Sequence, residues 1–473
     1  MSTPLYGGWR RSRSLGIGNL NGRQTVMLAV AVAVPLMVAT LTDLTTTLAV
    51  VPAALLLALG AILVVRGVWV VDLALAAAGF YLARMRGQTS YRAQMWAPYP
   101  RVWDLPGVLA PTELLELYQP GVGDAGIVWN QRTGAMTATY LLSPTGALLA
   151  DHQTVTHQVG AWGSTLATLA NDTSLSHATV TIDLTPALGT QLPAHVAERT
   201  DPTSPQLARQ VMNEVVQAAP SGTTHIRARL SLTTRNRTRQ VDEAVVETLR
   251  SLGALSLHAA GVDVLRRASA DDLAKIVRSA FDPSTEQDHY SSDWSELSWH
   301  EVGPVAAEEE WGHYVHDGAY STTWCLVEPP RQQVPHHVLL PLLLPGPYPV
   351  RLSIQYRTLS REEAGSVLKR EQDAATARRI YQHRTGRDPS ARDEADDARA
   401  NQAAAEEAQG AGLVQFSVFV TTTAPTLEQL HDAKRHVEQA VSEARLRMRP
   451  CWGGQSAAFA TNLGVAGLYP PDL

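Results

Sequence analysis

A chain of 473 residues with a formal net charge of −6 and only three lysines, Lys275, Lys369 and Lys434, has room for more than one domain and is not composed to take nucleic acid as its main partner. Its two cysteines, Cys325 and Cys451, stand far apart in unlike contexts with no C-x-x-C. That speaks against a cysteine-based zinc site or redox pair and for reduced, packed thiols.

Residues 1–22 form an arm rich in glycine and arginine, with Tyr6 and Trp9. They read either as an interfacial arm, arginines at the headgroups and aromatics at the boundary, or as a plain cytoplasmic tail. Within 23–66, neither Thr25–Thr42 nor Thr46–Val65 carries a charge. Lipid offers no hydrogen-bond partners, so a span is a helix of roughly 20 apolar residues, and both stretches qualify. Asp43, Leu44 and Thr45 suffice to turn between them, so the expected element is a two-span transmembrane helical hairpin. Arg10, Arg11, Arg13 and Arg23 precede it and Arg66, Arg84, Arg86 and Arg92 follow it, while the loop holds no basic residue. Lysine and arginine resist translocation, so both termini and the bulk of the chain are expected in the cytoplasm, beneath the inner cell membrane. Residues 67–96 open with a third apolar run, 67–83, interrupted by Asp72. A mid-bilayer aspartate is costly, so this run reads as a helix at the cytoplasmic surface or packed on the hairpin.

Residues 97–283 have an α+β pattern. Gly126–Asn130 and Ala135–Leu142 flank a turn at 131–134, a hairpin signal. A helix with Val155, Val159, Trp162, Leu166 and Leu169 on one face follows. Ala178, Val180, Ile182 and Leu184 then alternate with polar residues, as a half-buried strand does. A helix over 205–218 carries Leu207, Val211, Val215 and Ala218 on one stripe. The strand 225–233 points Ile226, Ala228, Leu230 and Leu232 inward and Arg227, Arg229 and Ser231 outward. Helix 239–252, strand Val262–Leu265 and helix 271–281 complete the segment. Short alternating strands with polar outward residues predict an antiparallel sheet covered by helices on one face.

Residues 284–312 read as an acidic linker: Glu286–Glu310 holds eight acidic residues and no lysine or arginine, with Trp294, Trp299 and Trp311 nearby. It is either solvated or a docking segment for a basic partner. Residues 313–473 form the second expected α+β domain. It contains a strand over Ala319–Val327, an apolar run Val338–Leu344 that prolines limit to an edge strand, and a strand over 350–358. In that last strand Arg351, Ser353, Gln355 and Arg357 point out. Ser360 and Glu363 form a capping box that opens a long helix. A break at 386–389 and a second, polar helix to about Gln409 suggest an exposed helical arm. Strand 413–421, helix 427–447 capped by Thr426, and an irregular tail over 451–473 end the chain. The fold class is thus α+β, a transmembrane hairpin followed by two cytoplasmic antiparallel-sheet and helix domains.

The residues offer little catalytic chemistry. None of the three lysines follows a G-x-x-x-x-G, so no phosphate loop of the Walker type exists. Gly121, Gly123 and Gly126 match G-x-G-x-x-G but lead into a strand, which reads as a turn. No G-x-S-x-G or H-E-x-x-H occurs. His313, His316, His336 and His337 are the best ligand cluster, read as packed or surface histidines. Arg227 with Arg229, or Arg351 with Arg357, would make a basic sheet face turned to solvent or a protein partner. No cofactor, metal or catalytic residue is expected.

The order of parts resembles a known family. The arm with Tyr6, Trp9, Arg10 and Arg11 followed by a two-span hairpin resembles PrgI-type inner-membrane subunits of conjugative type IV secretion systems, in an actinobacterial form fused to a large cytoplasmic portion. That portion resembles the N-terminal region of the VirB/TraC-class conjugation ATPase over Leu273–Pro283, Trp311–Val327, the 350–358 strand with its long helix, Leu413–Met448 and Gln455–Phe459. In that class a motor with a phosphate loop would come next, and no such loop occurs in these 473 residues. The resemblance implies a non-catalytic scaffold that docks a separate secretion ATPase at the membrane, alongside other membrane subunits of the machine, as a homo-oligomer or multi-subunit complex. EccE-type subunits of type VII secretion also have two N-terminal spans, and Trp162–Leu192 resembles their core domain, so that alternative stays open.

Overall fold

The computed structural model describes residues 5–6, 22–93 apart from 42 and 66, 105–119, 123–146, 150–186 apart from 173, 196, 200–218 apart from 202, 224–235, 241, 245–246, 248, 257–288, 297–385 apart from 331, 394, 398, 401–402, 405 and 413–469. In chain order, β1 (Leu5–Tyr6) precedes helices α1 (Gly22–Leu41) and α2 (Leu44–Ile62). A small hairpin of β2 (Val64–Val65) and β3 (Val68–Trp69), then α3 (Val70–Met85) and β4 (Ser90–Arg92), lead into the body. The body begins with β5 (Thr112–Gln119), β6 (Gly123–Asn130), β7 (Ala135–Pro144), α4 (His152–Asn171) and β8 (Leu175–Pro186). Next come α5 (Gln206–Ala218), β9 (Thr224–Arg235), β10 (Val262–Arg267) and α6 (Ala270–Phe281). Strands β11 (Ala306–Glu309), β12 (Tyr314–His316), β13 (Ala319–Glu328), β14 (Val334–Pro335) and β15 (Val350–Thr358) precede α7 (Arg361–Thr385). The chain closes with β16 (Val414–Ala424), α8 (Leu427–Glu443), β17 (Arg447–Pro450) and α9 (Gln455–Leu463).

One antiparallel sheet of 13 strands organises the body, in the order β4-β11-β12-β13-β16-β15-β8-β9-β7-β6-β5, with β10 on β7 and β17 on β13. The strands of 97–283 and of 313–473 therefore share a sheet, joined where β8 pairs with β15 from Leu184↔Val350 to His177↔Arg357. The acidic segment enters it too: β11 pairs with β4 and β12, and Trp299 and Val302 are buried in the core. It is thus structural over 297–310 rather than a solvated linker.

The expected one-sided cover is corrected to a two-sided one. On the first face, Leu352 and Val420 pack with Val437 and Ala440 of α8, and Tyr356 meets Trp162 of α4 edge-on at 5.9 Å. On the second, α6 and the C-terminal segment close over the strands, and Leu273, Val277 and Phe281 form a core with Phe459, Leu463 and Val465. The tail read as irregular contains α9, with Gln455 and every residue from Ala458 to Leu463 buried. Arg229, Ser231, Ser353 and Gln355, read as outward, are all buried.

Many of this face's polar groups pair across strands, although Thr181 Oγ1, Ser353 Oγ and Gln355 Oε1 are buried without a hydrogen-bond partner among the described residues. Thr137 bonds Thr233 at 2.9 Å, Thr139 bonds Ser231 at 2.9 Å, Thr323 bonds Thr421 at 2.8 Å and Ser321 bonds Thr423 at 2.7 Å. A hydroxyl paired across strands loses little on leaving water, and its methyl or methylene then packs as apolar surface. Helix α9 supplies further partners: Asn462 donates to Thr421 Oγ1 at 2.6 Å, and Gln455 accepts from the Thr323 amide at 2.8 Å. Gly464 and Gly467 both have positive φ, 75° and 61°, and lie so close to Thr181 and Thr137 that a Cβ at either would overlap a hydroxyl. Only glycine permits both that backbone and that approach.

Other boundaries shift locally. The 338–344 run forms a tight helical turn, Leu340–Leu342, because its prolines deny ladder donors; the strand lies earlier, at β14. Helix α8 stops at Glu443, and Arg445 at φ 54° turns the chain into β17. Helix α5 forms as expected, but Leu207, Val211 and Val215 on its stripe are exposed. Most of helix 239–252 and of the arm 386–409 lies outside the described residues.

Candidate membrane-anchoring site

Helices α1 and α2, 20 and 19 residues long, extend ~30 Å at the α-helical rise of ~1.5 Å per residue. Both are long and apolar enough to cross a membrane, and their apolar windows are only 11% and 6% buried within the protein. Leu36, Leu48, Leu55 and Leu56 are each more than two-thirds exposed. A hairpin in a soluble core would bury these side chains; here they face outward from the protein. Polar groups inside the spans are satisfied locally: Thr40 donates to Met37 O at 2.8 Å, and Thr46 and Thr47 donate to Asp43 O at the turn. That is what a lipid surround requires of a hydroxyl.

The base of the hairpin is close-packed. Ala31 and Ala61 are buried, and a Cβ on Gly60 would lie 3.3 Å from Met27 of α1 and 3.6 Å from Val71 of α3. Trp69 donates its indole N–H to Gly60 O at 2.7 Å. Helix α3 is the short third run. Asp72 sits in its first turn, where the helix dipole favours a carboxylate. Its far end docks on the body: Phe80 is 4% exposed and meets Trp311 edge-on at 5.5 Å, with Gly453 against both. Arg84 pairs with Glu310 at 2.8 Å and approaches Glu308 at 4.0 Å. A third contact reaches the turn that follows the hairpin. Gly67, in the turn between β2 and β3, lies under the Arg447 guanidinium, which would be 2.8 Å from a Cβ there. The arm returns to the body as well, with β1 pairing β14 at Leu5↔Pro335 and Tyr6↔Val334.

Of the flanking arginines read from sequence, Arg23 is exposed in the first turn of α1, Arg84 carries the Glu310 pair, Arg86 caps α3 and Arg92 lies in β4. Arg10, Arg11, Arg13 and Arg66 lie outside the described residues. Sequence reading missed Phe80, Trp311, Glu310 and Arg447. Trp311 beside the Glu308–Glu310 run was the available signal, an aromatic next to charge that an apolar, arginine-ended helix could meet.

The titratable groups of the body are tied into its interior. Asp183 accepts from Arg229 and from Arg351 Nε at 2.5 Å, and Arg229 also donates to Leu463 O at 2.8 Å at the end of α9. Burial alone would raise the Asp183 pKa, but the two guanidiniums outweigh it and hold the carboxyl well below the usual range. His316 stands apart from the other histidines of its sequence cluster. A carbonyl only accepts, so Nδ1–H donates to Phe281 O and Nε2 accepts from Ser321 at 2.8 Å. Burial pushes this imidazole down to about 4, and burial with nearby Arg235 and Arg357 pushes His177 down to about 3. No group of three or more metal-ligating side chains occurs among the described residues. Cys325 and Cys451, far apart in sequence, are free thiols in one buried cluster with Phe419 and Ala458.

The fold and this junction define an α+β protein with two candidate membrane spans joined to a large antiparallel sheet through α3 and the β2–β3 turn. No protein-family model matches the chain, and no curated protein matches it.

Proposed function

We propose that this protein is a membrane-anchored scaffold whose two spans hold the sheet body at the cytoplasmic face and present it to a separate ATPase of a secretion machine. The observation that carries the anchoring part is the junction at the foot of the hairpin: Phe80 on Trp311, Arg84 on Glu310 and Arg447 over Gly67 fix α3 and the β2–β3 turn to the body at three points. A flexible tether would serve if the spans only tied the chain to lipid. A fixed junction suits a subunit whose body must keep one orientation to the bilayer. The β1–β14 pairing supports an even number of spans, because the arm and the body then lie on one side. The basic flanks assign that side to the cytoplasm. The scaffold part is supported by the use made of Asp183, Arg229, Arg351 and His316, each spent on holding α9 or β13 in place. Conjugative type IV secretion is the system the order of parts suggests, from the sequence resemblance.

Reporter fusions at Asp43 and after Arg92 test the topology, with an external signal expected at the first and a cytoplasmic one at the second. An external signal after Arg92 would place α3 across the membrane and invert the body. Affinity purification of the full chain from native membranes, with and without residues 390–409, tests the partner. An ATPase that co-purifies and is weakened by the deletion is expected. A preparation from which no nucleotide-binding protein can be cross-linked would sink the scaffold reading.

A further inference from the structure

We infer that Arg445 and Arg447, at the turn from α8 into β17, form a binding site for the phosphate of anionic phospholipid headgroups. This rests on the membrane reading above and extends it to residues some 380 positions from the spans.

The argument is one of depth. The second apolar run ends at Val65, and Val64 and Val65 are 54% and 45% exposed. Residues that leave a span at this point sit at the boundary between hydrocarbon and headgroups, where Trp69 also lies. Gly67 is two residues further out, and the Arg447 guanidinium rests on it. Arg447 therefore stands at headgroup level. One of its nitrogens lies 3.5 Å from Glu328, and its side chain is still 51% exposed, so a group with five N–H donors keeps several for a phosphate. Arg445, exposed and two residues earlier, supports the same assignment. It adopts φ 54° at the C-terminal turn of α8, with its amide on Ser442 O at 3.0 Å. Helices usually place glycine there, because a Cβ strains the backbone. An arginine in that place keeps a charge where the fold alone favours its removal. The neighbouring charges are Glu328, opposite Arg447 in the ladder, Glu443 at the end of α8 and Arg449 on β17, and three arginines against two carboxylates leave the cluster net positive.

The test uses the full chain reconstituted in vesicles of phosphatidylcholine with phosphatidylglycerol, and native mass spectrometry counts the phosphatidylglycerol retained per protein. A basic residue near the surface is worth ~1 kcal/mol. Arg447→Gln should thus lower relative retention about fivefold, and the double variant with Arg445→Gln about thirtyfold. Arg435→Gln, an exposed arginine of α8 paired with Asp432, should change nothing. Arg445→Gly is the discriminating variant: it should raise the melting temperature while lowering retention, which no purely structural role for the side chain would give. Retention unchanged in the double variant overturns the proposal, as does loss of retention in excess inorganic phosphate, which would mark a site for free oxyanions. A chain extracted from vesicles by carbonate would instead refute the membrane reading itself.

Discussion

Replacing Asp183 by asparagine tests the claim that one carboxylate locks the C-terminal helix to the sheet. Asp183 lies on β8, Arg229 on β9 and Arg351 on β15, with side chains 16%, 3% and 14% exposed. Asparagine keeps the volume but turns an N–H₂ toward one guanidinium, so a donor meets a donor and both arginines lose their counter-charge. Breaking a buried pair by removing one partner costs about 3–5 kcal/mol, and the value expected here lies in that range because two cations depend on one anion. The neutralising dipole that remains is the C-terminus of α9, through Leu463 O. Urea unfolding of the full chain in detergent, followed by tryptophan fluorescence, should show a lower midpoint at an unchanged slope. A local readout separates this from general weakening. Cys451 is 7% exposed just before α9, so a thiol reagent should label it faster in Asp183→Asn well below the urea transition. A loss below about 1 kcal/mol, with labelling unchanged, would show that apolar packing around Phe459 and Leu463 holds α9 without the ion network.

Acid should unfold the body through its buried histidines. His316 and His177 have folded values of about 4 and about 3, below the ordinary histidine range, so the unfolded chain takes up protons that the folded one refuses. Stability is therefore full above about pH 6.5 and falls as pH drops, by up to ~2.7 kcal/mol per unit for the two together, with Asp183 adding to the loss only below about pH 4. Urea midpoints from pH 7 to pH 5 check this, and a flat profile would refute it. Gly467→Ala should destabilise by about 1–3 kcal/mol, since its φ of 61° and the nearby Thr137 both exclude a Cβ; a neutral effect would show that the tail can shift. Phe80→Ala should cost about 3–5 kcal/mol at the junction and open residues 86–93 to limited proteolysis. Protection there equal to that of the unmodified chain would mean that Arg84 and Arg447 suffice to seat the hairpin.

The elements themselves were legible because each depends on neighbours in sequence. Uncharged runs of span length specify α1 and α2, and alternation specifies β8, β9 and β15. The asparagine at position 130, accepting from the amides of Arg132 and Thr133, closes the β6–β7 turn with Gly134 at φ 73°. The capping box of Ser269 and Asp272 starts α6 in the same local way. What alternation could not reveal was the fate of the polar side of each strand. Ser231 and Ser353 read as a solvent face, since a lone hydroxyl is costly to bury. Tertiary pairing removes that cost for Ser231, because strands as far apart in sequence as β7 and β9 bring its hydroxyl onto Thr139, while Ser353 Oγ is buried without a partner among the described residues. The same holds for Arg229 and Arg351, which read as a basic surface until the fold sets Asp183 between them. Local sequence determined which residues become helix or strand, since backbone preference and periodicity act within a few residues. Which surfaces meet was decided only by the assembled sheet: the cover of α9, the seat of Phe80 and the place of Arg447 beside the hairpin all depend on partners that chain separation hides.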